Sequence, residues 1–312
     1  MGSLSPMQLG AHLPLIDFDG RGWPPGRVAT YARAARDLGY DFVCANDHLA
    51  FEKPWLDGIV ALASVADQTG EMRLATTVSL PVIRGPVALA KAAAALDIVS
   101  GGRLVLGVGP GSSARDYELA GIDIAERWPR LDESIRLLRT QLGDGYVGFD
   151  GRHYRVPAAL EPRPTRAGGP PIWVGSWGSD AGLRRVARLG DGWLSSAYHA
   201  TPDCVAAARS RLGLELGKAG RQLDGFPCAL ATMWTYVTED HRVRDAQLRT
   251  LAGILGRPVP ALADQVLVGP AEACADLLRR YASAGVDFVF VWPIADDVAQ
   301  LELVMRDVVP RI

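Results

Sequence analysis

Cysteine is scarce in this chain. Cys44, Cys204, Cys228 and Cys274 are the four in 312 residues. They are widely scattered and show no C-x-x-C spacing, which argues against a metal site and for a reducing compartment, the cytoplasm. Neither sign of charge is in excess. The chain carries 33 basic and 35 acidic residues, a net charge of -2, and so lacks the footprint of a nucleic-acid binder. No apolar run is long enough to span a membrane. The first residues, MGSLSPMQLGAHLPL, lack a basic region followed by a long apolar run, so no signal peptide is expected. There is no G-x-G-x-x-G after the first strand and no GxxxxGK[ST], which leaves nothing to support a dinucleotide fold or a nucleotide triphosphate loop. What remains is a chain 48% hydrophobic and 22% charged, suited to one large α/β domain or two small ones. A core of that size needs no disulfides.

One stretch organises the rest: AKAAAALDIVSGGRLVLGVGPG, from Ala90 to Gly111. Leu89, Ala93, Leu96 and Val99 recur at helical spacing. Ser100-Gly101-Gly102 stops that helix, because glycine tolerates the left-handed geometry of a helix end. Arg103 then opens a buried strand through Leu104, Val105, Leu106 and Val108. The glycine-rich exit, Gly107 to Gly111, lets a flat or phosphorylated ligand approach the backbone. It lies at the C-terminal end of a strand, where parallel α/β folds bind ligands.

The same strand-helix rhythm runs along the chain. Strands are expected at residues 8–14, 41–45, 73–80, 103–108, 171–176, 192–197, 226–237 and 286–292. On the seventh, Leu230, Thr232, Trp234 and Tyr236 would share one face. Helices fall between the strands, and 262–269 reads as a connection. Residues 143–170 break the rhythm with glycine and proline. They read as an excursion after the fourth unit, over or beside the C-terminal mouth, with a short hairpin around Tyr146 to Tyr154. Eight alternating units point to a (β/α)8 TIM barrel forming one domain over 1–312. A doubly wound open sheet is the alternative.

The motif LD-x-x-SGGR-x-x-LG-x-G-x-G is followed by Glu118 and Gly121, then by Arg127, Asp132 and Glu133. With Asn46-Asp47-His48, Arg84-Gly85-Pro86, Pro171 to Gly175 and Gly190 to Trp193, this order resembles the bacterial luciferase-like superfamily. The resemblance spans nearly the whole chain. Its members are flavin-dependent monooxygenases and oxidoreductases that use the deazaflavin coenzyme F420. The family carries an insertion after the fourth unit, as here.

Several residues acquire expected roles from their place at strand ends or from the resemblance. Deazaflavin enzymes of the superfamily have a histidine after the second strand beside the reactive carbon of the cofactor, which makes His48 the catalytic residue. Asp47, Thr77, Val78, Gly109 and Gly111 are expected around the cofactor. Gly175, Ser176, Trp177, Gly178 and Ser179 lead into a helix, where free N–H groups and the helix dipole favour an anion. The family places the cofactor phosphate there. Ser179 also reads as an ordinary helix cap. His12, Ser112, His199, Trp234 and Trp292 are expected around the substrate. Ser112 stands where the sugar-phosphate dehydrogenase branch has an acidic glutamate, which argues against that activity. Asp116 and Glu118 read as carboxylates that cap or orient the following helix rather than do chemistry. Trp193 and Cys44 read as structural. The family's strand-end bulge aligns with Thr77-Val78, and the deazaflavin branch has a cis peptide there with the ring stacked on the second residue. A cis bond between Thr77 and Val78 is therefore expected.

Three functions remain open. The first is an F420-dependent oxidoreductase transferring hydride to or from a small organic substrate, with the protein orienting the reactants and moving a proton. The second is a monooxygenase using reduced FMN, which would need a separate reductase. The third is a catalytically silent cofactor-binding barrel. A small-molecule substrate and a homodimer are expected; no nucleic acid, membrane or metal is.

Overall fold

A computed structural model of the chain describes residues 7–18, 20–145 and 147–312. The strands are β1 (Gln8–His12), β2 (Phe42–Ala45), β3 (Arg73–Thr76), β4 (Leu104–Val108), β5 (Phe149–Asp150), β6 (Arg155–Val156), β7 (Ile172–Gly175), β8 (Gly192–Ser196), β9 (Cys228–Val237), β10 (Leu267–Gly269) and β11 (Phe288–Pro293). The helices are α1 (Arg27–Asp37), α2 (Gly58–Val65), α3 (Pro81–Arg84), α4 (Pro86–Val99), α5 (Ala114–Leu119), α6 (Arg127–Leu142), α7 (Asp180–Leu189), α8 (Pro202–Lys218), α9 (His241–Leu255), α10 (Val259–Ala263), α11 (Ala271–Ser283) and α12 (Asp297–Leu303).

The main sheet runs β10-β9-β11-β1-β2-β3-β4-β7-β8, and a further β8–β9 pairing closes it. The result is a closed parallel barrel of eight strands wrapped by helices, rather than an open sheet. β9 is the longest strand. Its first half pairs with β8 and its last residues with β10, which hangs outside the barrel. The segment expected as a mere connection at 262–269 therefore contains a short strand.

Bulky and minimal side chains share the barrel interior. Phe42, Cys44, Val105, Trp173, Leu194, Ala229 and Phe290 fill it. Gly10 leaves the room that the Phe290 ring occupies. Around the barrel, a second apolar layer joins the outward strand faces to the helices, including Leu89, Ala93 and Leu96 of α4. Val99, expected on that buried face, is 59% exposed instead. Ser100 to Gly102 ends the helix as expected, with left-handed φ angles of 68° and 80° at Gly101 and Gly102.

Two strands depart from regular alternation, and both departures shape the mouth. β3 stops at Thr76, short of the expected Leu80. Just beyond it, the Thr77–Val78 peptide bond is cis, as expected. In β9, Thr232 has a φ of 57°, and the pairing with β11 slips between Val289 and Val291. This bulge reverses the alternation. Leu230 packs outward with the helices, whereas Trp234 packs in a separate aromatic cluster at the mouth. The four β9 residues expected on one face are thus split.

Beyond α6 the chain makes a small antiparallel hairpin, β5–β6. Tyr146, at the expected start of that hairpin, lies outside the described residues. Glu133 of α6 accepts the backbone N–H groups of Arg152, His153 and Tyr154. Gln141 of α6 accepts from Leu160, and Asp97 of α4 accepts from Arg166. The excursion is thereby fastened to the outer helices. None of its described residues lines the cavity at the mouth.

Candidate active site

A cavity of about 400 Å³ opens at the C-terminal ends of the strands. That is within the usual range for a small-molecule site. Asp47 and His48 reach it from β2, and Thr77 and Val78 from the turn after β3. Gly109, Gly111 and Ser112 line it after β4. Gly175, Ser176, Trp177 and Ser179 line it after β7. The structure thus gathers onto one cavity residues far apart in sequence. Sequence reasoning did not single out Ile124, Arg127 as a lining group, Trp128, Leu194 or Thr232, which also line it. Arg127 belonged to a family motif, but the motif carried no sign that its side chain faces the mouth.

Val78 sits over two glycines. A Cβ on Gly109 would lie 2.8 Å from Val78 Cγ2, and one on Gly175 would lie 3.3 Å from Val78 Cγ1. The two glycines thus leave the Val78 side chain room between the ends of β4 and β7. Opposite, Ser179 caps α7 by accepting from Gly182 N–H at 3.2 Å. Gly178, with a φ of 89°, does not itself line the cavity. Its N–H donates to Ser176 Oγ at 3.2 Å. This turn exposes the N-terminus of a ten-residue helix to the cavity, the arrangement that favours an anion.

Asp47 is 5% exposed. Arg84 of α3 donates to both its oxygens, with Nη2 at 2.7 Å from Oδ1, and Leu80 N–H adds a third bond at 3.3 Å. Desolvation opposes the Arg84 charge, but Asp47 and Asp57 outweigh it and push the guanidinium pKa up. Asp47 is thus anchored to the turn that presents Thr77 and Val78.

His48 Nδ1 and Asp116 Oδ2 are hydrogen-bonded at 2.7 Å. The other Asp116 oxygen accepts the N–H groups of Leu49 and Ala50 at 3.1 and 2.9 Å. Asp116, expected to cap or orient a helix, lies instead within α5 with its carboxylate on the His48 loop. Ser113 fills the cap position and accepts from Asp116 N–H. Burial raises the Asp116 pKa, but the His48 and backbone donors outweigh it and hold the carboxyl below its ordinary range. Phe51 and Trp55 pack around the His48 ring, with centroids 5.4 and 4.7 Å away.

The other expected substrate contacts divide. His12, Trp292 and Trp234 form a buried stack, with centroid separations of 3.5 and 4.2 Å. None of the three lines the cavity. Ile16 and Ile294 pack with Trp234 and Trp292 in one buried apolar cluster. His12 Nδ1 donates to Leu13 O, and burial drives the ring's pKa down to about 3. His199 also stands back from the cavity, stacked on Trp177 at 3.7 Å. Burial first, then the nearby Arg257 charge, lower its pKa to about 4. Trp193 is fully buried and donates to Ser176 O, and Cys44 is fully buried in β2, both as expected.

A closed barrel with a polar-rimmed cavity at its strand ends and a helix N-terminus facing that cavity is the architecture of a small-molecule barrel enzyme. Comparison with known proteins narrows this. The sequence model of the luciferase-like monooxygenase family matches residues 16–287. The chain therefore belongs to the luciferase-like monooxygenase family. It is 35% identical over 233 residues to an F420-dependent glucose-6-phosphate dehydrogenase of Nakamurella multipartita, covering 70% of this chain and 66% of that protein. Its fold matches an F420-dependent secondary alcohol dehydrogenase solved with an F420-acetone adduct. That match has a TM-score of 0.86 at 18% identity, over 98% and 99% of the two chains. The monooxygenase RslO1 from Streptomyces bottropensis matches with a TM-score of 0.83 at 22% identity, over 97% and 99%.

Proposed function

We propose that this protein is an F420-dependent oxidoreductase that moves hydride between the deazaflavin and a small alcohol or carbonyl compound. The observation that carries the reading is the convergence of His48, Val78 and the start of α7 on one cavity. Family membership and the F420-dependent relatives support it. The deazaflavin, when bound, supplies a two-electron hydride donor or acceptor. Ser176, Ser179 and the N-terminus of α7 would hold its phosphate, and Gly178 gives their turn its shape. Val78, seated over Gly109 and Gly175, would back the ring, with Gly111 beside it on the cavity wall.

His48 moves the proton that accompanies hydride. Among the described residues it is the one imidazole lining the cavity. Asp47, also at the wall, is committed to Arg84 and orients the turn rather than exchanging protons. Ser112 lines the cavity where the sugar-phosphate branch has its acid. The substrate therefore differs from glucose 6-phosphate, and the dehydrogenase activity of that relative is not expected here.

The test is turnover. Purified protein is mixed with the deazaflavin and a panel of alcohols and, in its reduced form, of carbonyl compounds, and cofactor fluorescence is followed. Redox turnover is expected with at least one neutral substrate and not with glucose 6-phosphate. His48→Ala should retain the cofactor and lower turnover about a hundredfold or more, the range of general acid–base groups. Oxygen-dependent turnover with reduced FMN, and none with the deazaflavin, would replace this reading with the monooxygenase one.

A further inference from the structure

We infer that Asp116 is the positioning residue of His48: its carboxylate fixes the imidazole as the Nδ1–H tautomer and leaves Nε2 as the proton-exchanging atom of the cavity. This deepens the reading above and rests on it for the direction of proton flow. The tautomer itself does not depend on that reading.

Asp116 and His48 are 68 residues apart, one on α5 and one at the end of β2. Asp116 is 1% exposed. Its two oxygens have separate tasks. Oδ1 takes the N–H groups of Leu49 and Ala50 and so fixes the turn that follows His48. Oδ2 is left for the imidazole. An ionised carboxylate can only accept, so the ring nitrogen facing it must carry the hydrogen. The partner of one imidazole nitrogen decides what the other can do. With Nδ1 committed, Nε2 is a lone pair when the ring is neutral and a donor when it is protonated.

The surroundings fit a proton-transfer role. Phe51 and Trp55, packed against the ring from its own loop, are uncharged. The neighbouring Asp47 is neutralised by Arg84 of α3. Arg127 from α6 lines the same cavity. Asp116 from α5 is the charged group bonded to the ring. In alcohol oxidation, the O–H proton moves to Nε2 while the C–H electron pair leaves with its hydrogen as hydride to the deazaflavin, and the C=O bond forms. In the opposite direction, Nε2–H returns the proton to the carbonyl oxygen as hydride arrives at carbon. The imidazolium formed or consumed lies against the buried carboxylate. The Ser-His-Asp hydrolases show the same division of labour.

Histidine ¹⁵N NMR of the ligand-free protein at a pH where the ring is neutral tests this without any substrate. His48→Gln, which loses the His48 signals, assigns them. The wild type should show Nδ1 protonated and Nε2 bare. Asp116→Asn is nearly isosteric but can turn its NH2 group toward the ring. It should shift His48 to the Nε2–H tautomer. With a substrate from the panel above, it should lower kcat about a hundredfold or more while KM changes less than about threefold. A wild-type His48 carrying its proton on Nε2 overturns the inference, whether or not Asp116→Asn folds. So does a folded Asp116→Asn with an unchanged tautomer. Absence of deazaflavin turnover combined with the expected tautomer leaves the pairing standing and removes the reading of the reaction.

Discussion

Asp47 and Arg84 form a two-pronged ion pair that ties the end of β2 to the short helix after β3. The acid is almost wholly buried and the base one-fifth exposed. Breaking such a pair strands a charge, which costs much more than the intact pair contributes. Arg84→Met should therefore destabilise the fold by roughly 2–4 kcal/mol, between the values for exposed and fully buried pairs. Urea denaturation with a constant m-value measures this. A loss below about 1 kcal/mol would mean that Asp47 finds another partner.

The turn before α7 offers a second test. Gly178→Ala and Gly178→Glu both place a Cβ at a φ of 89°, and so share the same backbone strain. Only the glutamate brings a negative charge to the helix N-terminus. The glutamate variant should bind the deazaflavin at least tenfold more weakly than the alanine variant. Equal affinities would move the cofactor phosphate away from Ser176 to Ser179.

His12 makes stability depend on pH. Its folded pKa is about 3, against an ordinary value of 6.5. Burial is the main cause, so the folded protein keeps the ring neutral. Above 6.5, neither folded nor unfolded state binds the proton and the buried ring costs nothing. As pH falls below 6.5, the unfolded state takes up a proton that the folded state refuses. Stability should therefore decline toward pH 3. His12→Phe keeps an aromatic ring on Trp292 and removes this term. Its thermal midpoint should fall less between pH 7.5 and pH 4.5 than that of the wild type. Parallel declines would show that His12 is protonated in the folded state.

The fold was largely legible because its signals are local. Glycine stops such as Gly101-Gly102 and the apolar run of β4 announce their elements without knowledge of their neighbours. The cavity glycines and His48 were legible because motif order placed them at strand ends. The missed features depend on contacts remote in sequence. Nothing local to Asp116 shows that it meets His48 rather than caps its own helix. The β9 bulge at Thr232 appears only in the pairing with β11, so Trp234 was assigned its side by simple alternation. His12 and Trp292 do stand at strand ends. Their mutual stacking, which withdraws them from the cavity, is a property of the assembled mouth.

The central claim is that this cavity is built for a deazaflavin. The most direct measurement is a fluorescence titration of the purified protein with F420 and, separately, with FMN. Saturable binding of F420 at low micromolar concentration or tighter, at least tenfold stronger than that of FMN, is the result this account predicts. Preferential binding of FMN, or no saturable binding of F420, would contradict it.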